Sequence, residues 1–392
     1  MSAPIVVIGG GLAGWTTVRE FRKLDTGTPV VVVTSDSGDF YAKPSLSNAF
    51  AQKRLPAQLI STPAAKMAET LNVTLMAHTQ VTGIDIGGKG LTLQNGEATT
   101  TLSFSQLVLA TGAKAIRAPM AGDAVDQVRA VNSLDDFAAF HASLHASDAD
   151  NDETGSKTIV LIGAGLIGCE FANDLLQAGH SVHVVDPSSR PLAALLPEAV
   201  GLELQKALED LGTKWHFGST VQTVDSAGAS GLCITLSDAT ILSADAVLSA
   251  IGLRADTALA AAAGLACERG VVVDAQLRTS APHVFALGDC AQYASAGQRT
   301  LPYVMPIMNA AKALAANLAG TPTALVFPLM PVSIKTPAWP IVVSAAHPSV
   351  AGEWIADANE ASGVWRFIDS DGVQRGFVLT AKQTVRRMEL SK

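Results

Sequence analysis

Near its start the chain reads Ile5-Val6-Val7-Ile8-Gly9-Gly10-Gly11-Leu12-Ala13-Gly14, and the reading of this stretch decides the fold. Its first four residues are apolar and β-branched, the composition of a strand buried on both faces. Gly9, Gly11 and Gly14 follow at G-x-G-x-x-G spacing, and Leu12 to Leu24 has helical composition. Gly9 permits a tight turn, Gly11 lets a pyrophosphate approach the backbone, and Gly14 lets helix and strand pack closely. The helix N-terminus then faces the anion. Pro29 precedes a second apolar run, Val30 to Val33, which completes a βαβ unit.

Residues 157–186 repeat the plan: a strand Thr158 to Ile162, a turn with Gly163, Gly165 and Gly168, a helix through Leu176 stopped by Gly179, and a strand from Ser181. A duplicated mononucleotide-binding unit at this separation predicts two doubly wound domains. In the second unit Asp186 ends the next strand. A carboxylate there accepts ribose hydroxyls and repels a 2′-phosphate, which favours NADH over NADPH, although Arg190 stands close by. The first unit has Thr34 at the equivalent place. Its ribose contact is left between Asp36 and the hydroxyls of Thr34 and Ser35.

The length, 392 residues, predicts two to three domains. A net charge of −8 argues against nucleic-acid binding, which needs concentrated basic charge. No stretch has the apolar length of a membrane span, and the opening run lacks the basic flank of a signal peptide, so a cytoplasmic protein is expected. Cys169, Cys233, Cys267 and Cys290 lie far apart and form no Cys-x-x-Cys motif, so neither zinc nor a redox dithiol is signalled, and most are expected to be buried thiols. His141 and His145 have helical i, i+4 spacing but no accompanying ligand motif, so no metal is expected. The polar stretch 141–156 ends in an exposed loop, whose Asp148, Asp150 and Asp152 lack the glycine and acid of a calcium loop. After residue 325, Pro328, Pro331, Pro337 and Pro340 punctuate short β-rich pieces, which predicts a final, mostly antiparallel domain.

Three further strand-to-turn segments complete the pattern: Leu107-Val108-Leu109-Ala110-Thr111-Gly112, Ser249-Ala250-Ile251-Gly252, and Val284-Phe285-Ala286-Leu287-Gly288-Asp289. With the two fingerprints in this order, residues 4–325 resemble the two-dinucleotide-binding flavoprotein oxidoreductases. Within that superfamily the chain is most similar to the rubredoxin-reductase family. The segments that carry this are Tyr41-Ala42-Lys43-Pro44-Ser45-Leu46-Ser47, the second fingerprint continued through Cys169-Glu170-Phe171-Ala172-Asn173-Asp174, Pro302-Tyr303-Val304-Met305-Pro306, and Val332-Ser333-Ile334-Lys335-Thr336-Pro337.

The resemblance implies an α/β protein of two doubly wound, glutathione-reductase-like domains plus a small C-terminal α+β domain. FAD would sit in a discontinuous domain of residues 1–113 and 247–325, NADH in 114–246, and the last domain would span 326–392. The implied FAD contacts are the turn Gly9, Gly11, Leu12, Ala13 and Gly14, with Thr34, Ser35 or Asp36. Lys43, Val81, Thr111, Gly112, Asp289, Val304 and Lys335 complete them. Gly163, Gly165, Gly168, Glu170, Asp186 and Gly252 are implied at the nicotinamide coenzyme. Lys43 and Glu170 resemble a catalytic ion pair.

The implied activity is transfer of electrons from NADH through FAD to rubredoxin in a transient complex, feeding a rubredoxin-dependent monooxygenase such as an alkane hydroxylase. Reduction of a flavorubredoxin or ferredoxin is the alternative. An NADH oxidase would want a reactive cysteine near Lys43, and Pro44 to Ala51 has none. Disulfide reduction is argued against by the absence of a cysteine pair. Docking an acidic rubredoxin on a chain of charge −8 requires local basic surface, expected at Lys312, Lys335 and Arg386-Arg387.

Overall fold

The computed structural model describes residues 3–145, 155–228, 231–357 and 363–391; the aspartates at 148, 150 and 152 lie outside them. The chain gathers into two compact units. The first comprises the chain up to Ala42, Ile60–Lys114 and Leu253–Pro328; the second comprises Lys43–Leu59, Ala115–Gly252 and the chain from Leu329.

In the first unit a five-stranded parallel sheet has the spatial order Val284–Ala286, Gln106–Leu109, Ile5–Ile8, Val30–Val33, Thr74–Met76. The first strand in sequence is central, with Ile5 opposite both Val30 and Gln106. Chain connections leave that strand in opposite directions, which makes a topological switch point at its carboxyl end, where α/β sheets bind ligands. Ile5–Ile8 and Val30–Val33 are buried throughout, as β-branched runs covered on both faces must be. A helix, Leu12–Arg22, buries Trp15, Val18 and Phe21 and packs against the helix Val304–Leu318. An antiparallel meander, Gln80–Asp85, Gly90–Asn95 and Ala98–Ser103, is inserted before the return strand. Val81 is buried there among core residues.

The second unit repeats this plan. Its four-stranded parallel sheet runs Lys214–Phe217, Ser181–Asp186, Thr158–Ile162, Ala246–Ser249, and a meander of Val221–Ala227, Gly231–Leu236 and Ile241–Ala244 precedes the return strand. The unit adds an antiparallel sheet ordered Val332–Ile334, Ile341–Ser344, Gln374–Thr380, Val364–Asp369, Gly352–Ala356.

Two boundaries differ from the sequence reading. Ala246–Ser249 pairs with Thr158–Ile162 in the second sheet, so the chain leaves this unit after Gly252 rather than at residue 246. The segment Lys43–Leu59 belongs to the second unit, whereas the sequence reading grouped it with the first. The last 65 or so residues form the final antiparallel sheet expected of them, and it packs within the second unit, where Ile334, Ile341, Val343 and Val378 share one core with Cys169, Val200 and Leu204. Among the described residues no helix is long and apolar enough to cross a membrane.

Candidate active site

In the first unit the glycine turn closes by direct backbone contact. A Cβ on Gly9, whose φ is +117°, would lie 2.2 Å from the Ala110 carbonyl oxygen, and one on Gly14 would lie 1.9 Å from that of Gly9. Only glycine fits either place. Gly11 is the opposite case: a Cβ there would meet nothing within 4 Å. It is the N-cap of Leu12–Arg22, with no side-chain cap and no acid in the first turn. Open space before uncapped helix amides is what a pyrophosphate requires.

The surrounding residues converge on this turn. Thr34 follows the neighbouring strand, and its hydroxyl donates to Asp36 Oδ1 at 2.6 Å, where the Gly38 amide also donates at 2.9 Å. Thr34 is thus a buried support for the Asp36 carboxylate, while Ser35 is exposed. Thr111 donates to the Asp256 carbonyl at 2.9 Å, and Gly112 takes φ +72°. Gly288, at φ +82°, lies so near the fingerprint that a Cβ on it would come within 2.8 Å of Ala13 Cβ. That contact sets Asp289 beside the glycine turn. The buried Tyr293 hydroxyl accepts from the Gly288 amide at 2.7 Å and lies 3.2 Å from its carbonyl, fixing the turn from below. Sequence reasoning missed Tyr293. Val304, at the start of its helix, is exposed.

The second unit builds the same cradle. A Cβ on Gly163 would lie 2.8 Å from the Ala250 carbonyl and one on Gly168 would lie 1.9 Å from that of Gly163, whereas Gly165 again faces open space. Asp186 ends its strand as expected, and its Oδ2 accepts the Ala164 amide at 2.6 Å, while Oδ1 accepts the Ser188 amide at 2.8 Å and meets the Ser188 hydroxyl. These hydrogen bonds tie the carboxylate to the glycine turn. Gly252, exposed at φ +116°, holds the chain past the return strand through its carbonyl, which accepts from the Ile116 amide at 3.0 Å.

The expected Lys43–Glu170 pair is not what forms. Glu170, 1% exposed, is paired with Lys335: its Oε2 meets the Lys335 ammonium and accepts the Ser47 hydroxyl at 2.6 Å, and its Oε1 accepts the Lys335 amide at 2.9 Å. Lys43 Nζ donates to Asn132 Oδ1 at 3.0 Å. The reason is local: the turn after Val332–Ile334 brings both the amide and the ammonium of Lys335 to one carboxylate, while Lys43 begins a 3-10 turn whose Ser47 reaches Glu170 instead.

One helix face, Leu166–Gln177, carries the rest of this network. Asn173 Oδ1 accepts the Ala338 amide at 3.0 Å, and Asp174 accepts the amides of Phe50 and Ala51 at 3.0 and 2.9 Å. Burial raises the Asp174 carboxyl above its ordinary range against these hydrogen bonds. Glu170, Asn173 and Asp174 thus anchor segments from two distant parts of the sequence. The signal was available: acids and an amide at i, i+3 and i+4 in an otherwise apolar helix.

The remaining candidates make packing contacts. Cys169 and Cys290 are buried, burial pushes both thiols up, and their sulfurs lie against the carbonyls of Ala164 and Leu287 respectively. His141 stacks on His145 at 4.3 Å and on Phe50 at 5.6 Å.

Residues 3–315 match the family model described as pyridine nucleotide-disulphide oxidoreductase, and residues 324–392 match that of a rubredoxin binding C-terminal domain. The chain is 43% identical to a rubredoxin-NAD(+) reductase of Alcanivorax borkumensis, covering 99% of this chain and 98% of that protein. It is 38% identical to a nitric oxide reductase FlRd-NAD(+) reductase of Aeromonas salmonicida, covering 98% and 94%. Among solved structures it is similar to the covalent putidaredoxin reductase–putidaredoxin complex, at a TM-score of 0.86 and 23% identity over 99% of this chain and 92% of that one.

Proposed function

The chain belongs to the pyridine nucleotide-disulphide oxidoreductase family, and from that premise we propose that it reduces rubredoxin with electrons from NADH, using FAD. One observation carries the reading above the others: a rubredoxin-binding C-terminal match on a chain with two open glycine cradles. When bound, FAD supplies the conversion between two-electron and one-electron chemistry that side chains lack.

The chain's own residues bind and orient. Gly11 and the amides of Leu12–Arg22 would hold the FAD pyrophosphate, with Asp36 on a ribose and Asp289 beside the turn. Gly165 and Asp186 would hold NADH, the carboxylate accepting ribose hydroxyls and repelling a 2′-phosphate. Glu170, Ser47 and Lys335 keep one charged, hydrogen-bonded cluster at the start of the coenzyme helix, held in a single geometry by burial. Well-separated cysteines without a Cys-x-x-Cys motif suit a reducing compartment, so the proposal places the enzyme in the cytoplasm. Supply of a rubredoxin-dependent monooxygenase belongs to the same proposal. The similarity to the Aeromonas salmonicida protein supports flavorubredoxin as the second acceptor to test.

The test is anaerobic titration of the purified holoenzyme. NADH should bleach the flavin bands, rubredoxin should restore them, and NADPH should be at least about tenfold less efficient, the equivalent of 1.4 kcal/mol. Bleaching by NADH that rubredoxin does not reverse would overturn the acceptor. Equal efficiency of the two coenzymes would overturn the role of Asp186.

A further inference from the structure

Arg190 stands on the loop after Asp186, where a cation would serve a 2′-phosphate, yet its side chain is committed elsewhere. Nη2 donates to the carbonyls of Ala193 at 3.2 Å and Leu196 at 3.0 Å, and Nη1 is buried. The space it occupies exists because residue 201 is glycine. A Cβ there would lie 2.6 Å from Arg190 Nη1, 3.2 Å from its Cδ and 3.2 Å from the Pro191 carbonyl oxygen. Gly201 is in the interior of the helix Glu198–Asp210, where no positive φ or tight turn requires glycine and where alanine is the better helix former. Its use there is explained by the guanidinium. The loop joining the two sites is short: the Ser188 hydroxyl lies between Asp186 Oδ1 and the Arg190 carbonyl, 3.0 Å from the latter.

We propose that Gly201 and the carbonyls of Ala193 and Leu196 sequester Arg190, and that this sequestration, together with Asp186, sets coenzyme choice. The inference rests on the reading of the second cradle as an NADH site. Asp186 repels a 2′-phosphate, and the sequestered Arg190 denies it a partner. Removing the carboxylate alone therefore lifts the repulsion without supplying an attraction. A methyl group at position 201 displaces the guanidinium toward the coenzyme loop, where its planar fork suits a phosphate.

The experiment uses the FAD-loaded full chain and two probes, 2′,5′-ADP and 5′-ADP, with affinities by calorimetry and kcat/KM for NADPH and NADH beside them. Asp186→Ser should tighten 2′,5′-ADP only a few-fold. Asp186→Ser with Gly201→Ala should tighten it by a further tenfold or more, on the order of the 1.4 kcal/mol of a gained charge contact, with 5′-ADP little changed. Adding Arg190→Ala to that pair should abolish the gain. A double variant that binds 2′,5′-ADP no better than Asp186→Ser overturns the proposal. Where Gly201→Ala fails to fold, Asp186→Ser with Arg190→Ala decides: unchanged 2′,5′-ADP affinity relative to Asp186→Ser supports sequestration, and a loss shows that Arg190 already faces the site. Preference of the wild-type protein for NADPH would instead overturn the underlying NADH reading.

Discussion

Lys335 meets Glu170 twice, with its backbone amide on Oε1 at 2.9 Å and its ammonium on Oε2. The carboxylate is 1% exposed and the lysine side chain 25%, so the acid depends on the base more than the reverse. Lys335→Ala should leave an uncompensated buried charge and cost about 3–5 kcal/mol, while Glu170→Gln should cost less. Removing both should be less than additive in a double-mutant cycle. Denaturant unfolding of the holoenzyme checks this, and additive losses would show that the pair does not act as one.

The two kinds of glycine in each fingerprint should separate experimentally. Gly14→Ala forces a Cβ to within 1.9 Å of the Gly9 carbonyl and should destabilise or unfold the first unit. Gly11→Ala adds its Cβ to open space and should leave the unfolding midpoint nearly unchanged while weakening flavin retention, by about tenfold for each 1.4 kcal/mol of lost approach. Flavin release on dilution, measured by fluorescence beside circular dichroism, distinguishes them. Equal effects on fold and flavin would refute the cradle.

Asp174 should impose a pH signature on stability. Its folded carboxyl is raised by burial, so between the unfolded value near 3.9 and the folded one the native state keeps a proton that the unfolded state has lost. Stability should therefore fall as pH rises through that window and level off above it. Asp174→Asn removes the titration, although one of the two amides it accepts then faces an amide nitrogen. The wild-type-minus-variant unfolding midpoint should decline with pH across the window; a flat difference would show that Asp174 does not titrate there.

Electron transfer to rubredoxin should be sensitive to salt. The chain carries −8, and an acidic partner needs local basic surface. Of the lysines and arginines expected to dock it, Lys335 is held by Glu170 and Arg386 pairs with Glu389, whereas Lys312 and Arg387 are exposed. Arg387→Glu should slow rubredoxin reduction and leave a neutral dye's rate unchanged. Wild-type rubredoxin reduction should itself slow as ionic strength passes about 0.1 M, where the Debye length is about 10 Å. A rate flat across the salt series would remove electrostatic docking.

The two fingerprints, their strands and the carboxylate at Asp186 were legible in the sequence because each is set by local chemistry. A β-branched run, a glycine that alone fits a close backbone approach and an acid at a strand end are short-range facts. The isolation of the cysteines foretold burial only in part: Cys169 and Cys290 are buried, whereas Cys233 and Cys267 are half-buried. What tertiary structure decided was partnership across long stretches of chain. Residues 170 and 335 pair over 165 positions, and 50 and 174 over 124, distances at which sequence spacing carries no geometric information. The same limit explains the shifted boundaries. A strand such as Ala246–Ser249 is apolar whichever sheet receives it, and only hydrogen-bond register with Thr158–Ile162 assigns it to the second unit. Arg190 shows the limit most sharply: its position in sequence suggests a phosphate ligand, and only the space left by Gly201 decides that its charge is turned onto backbone carbonyls.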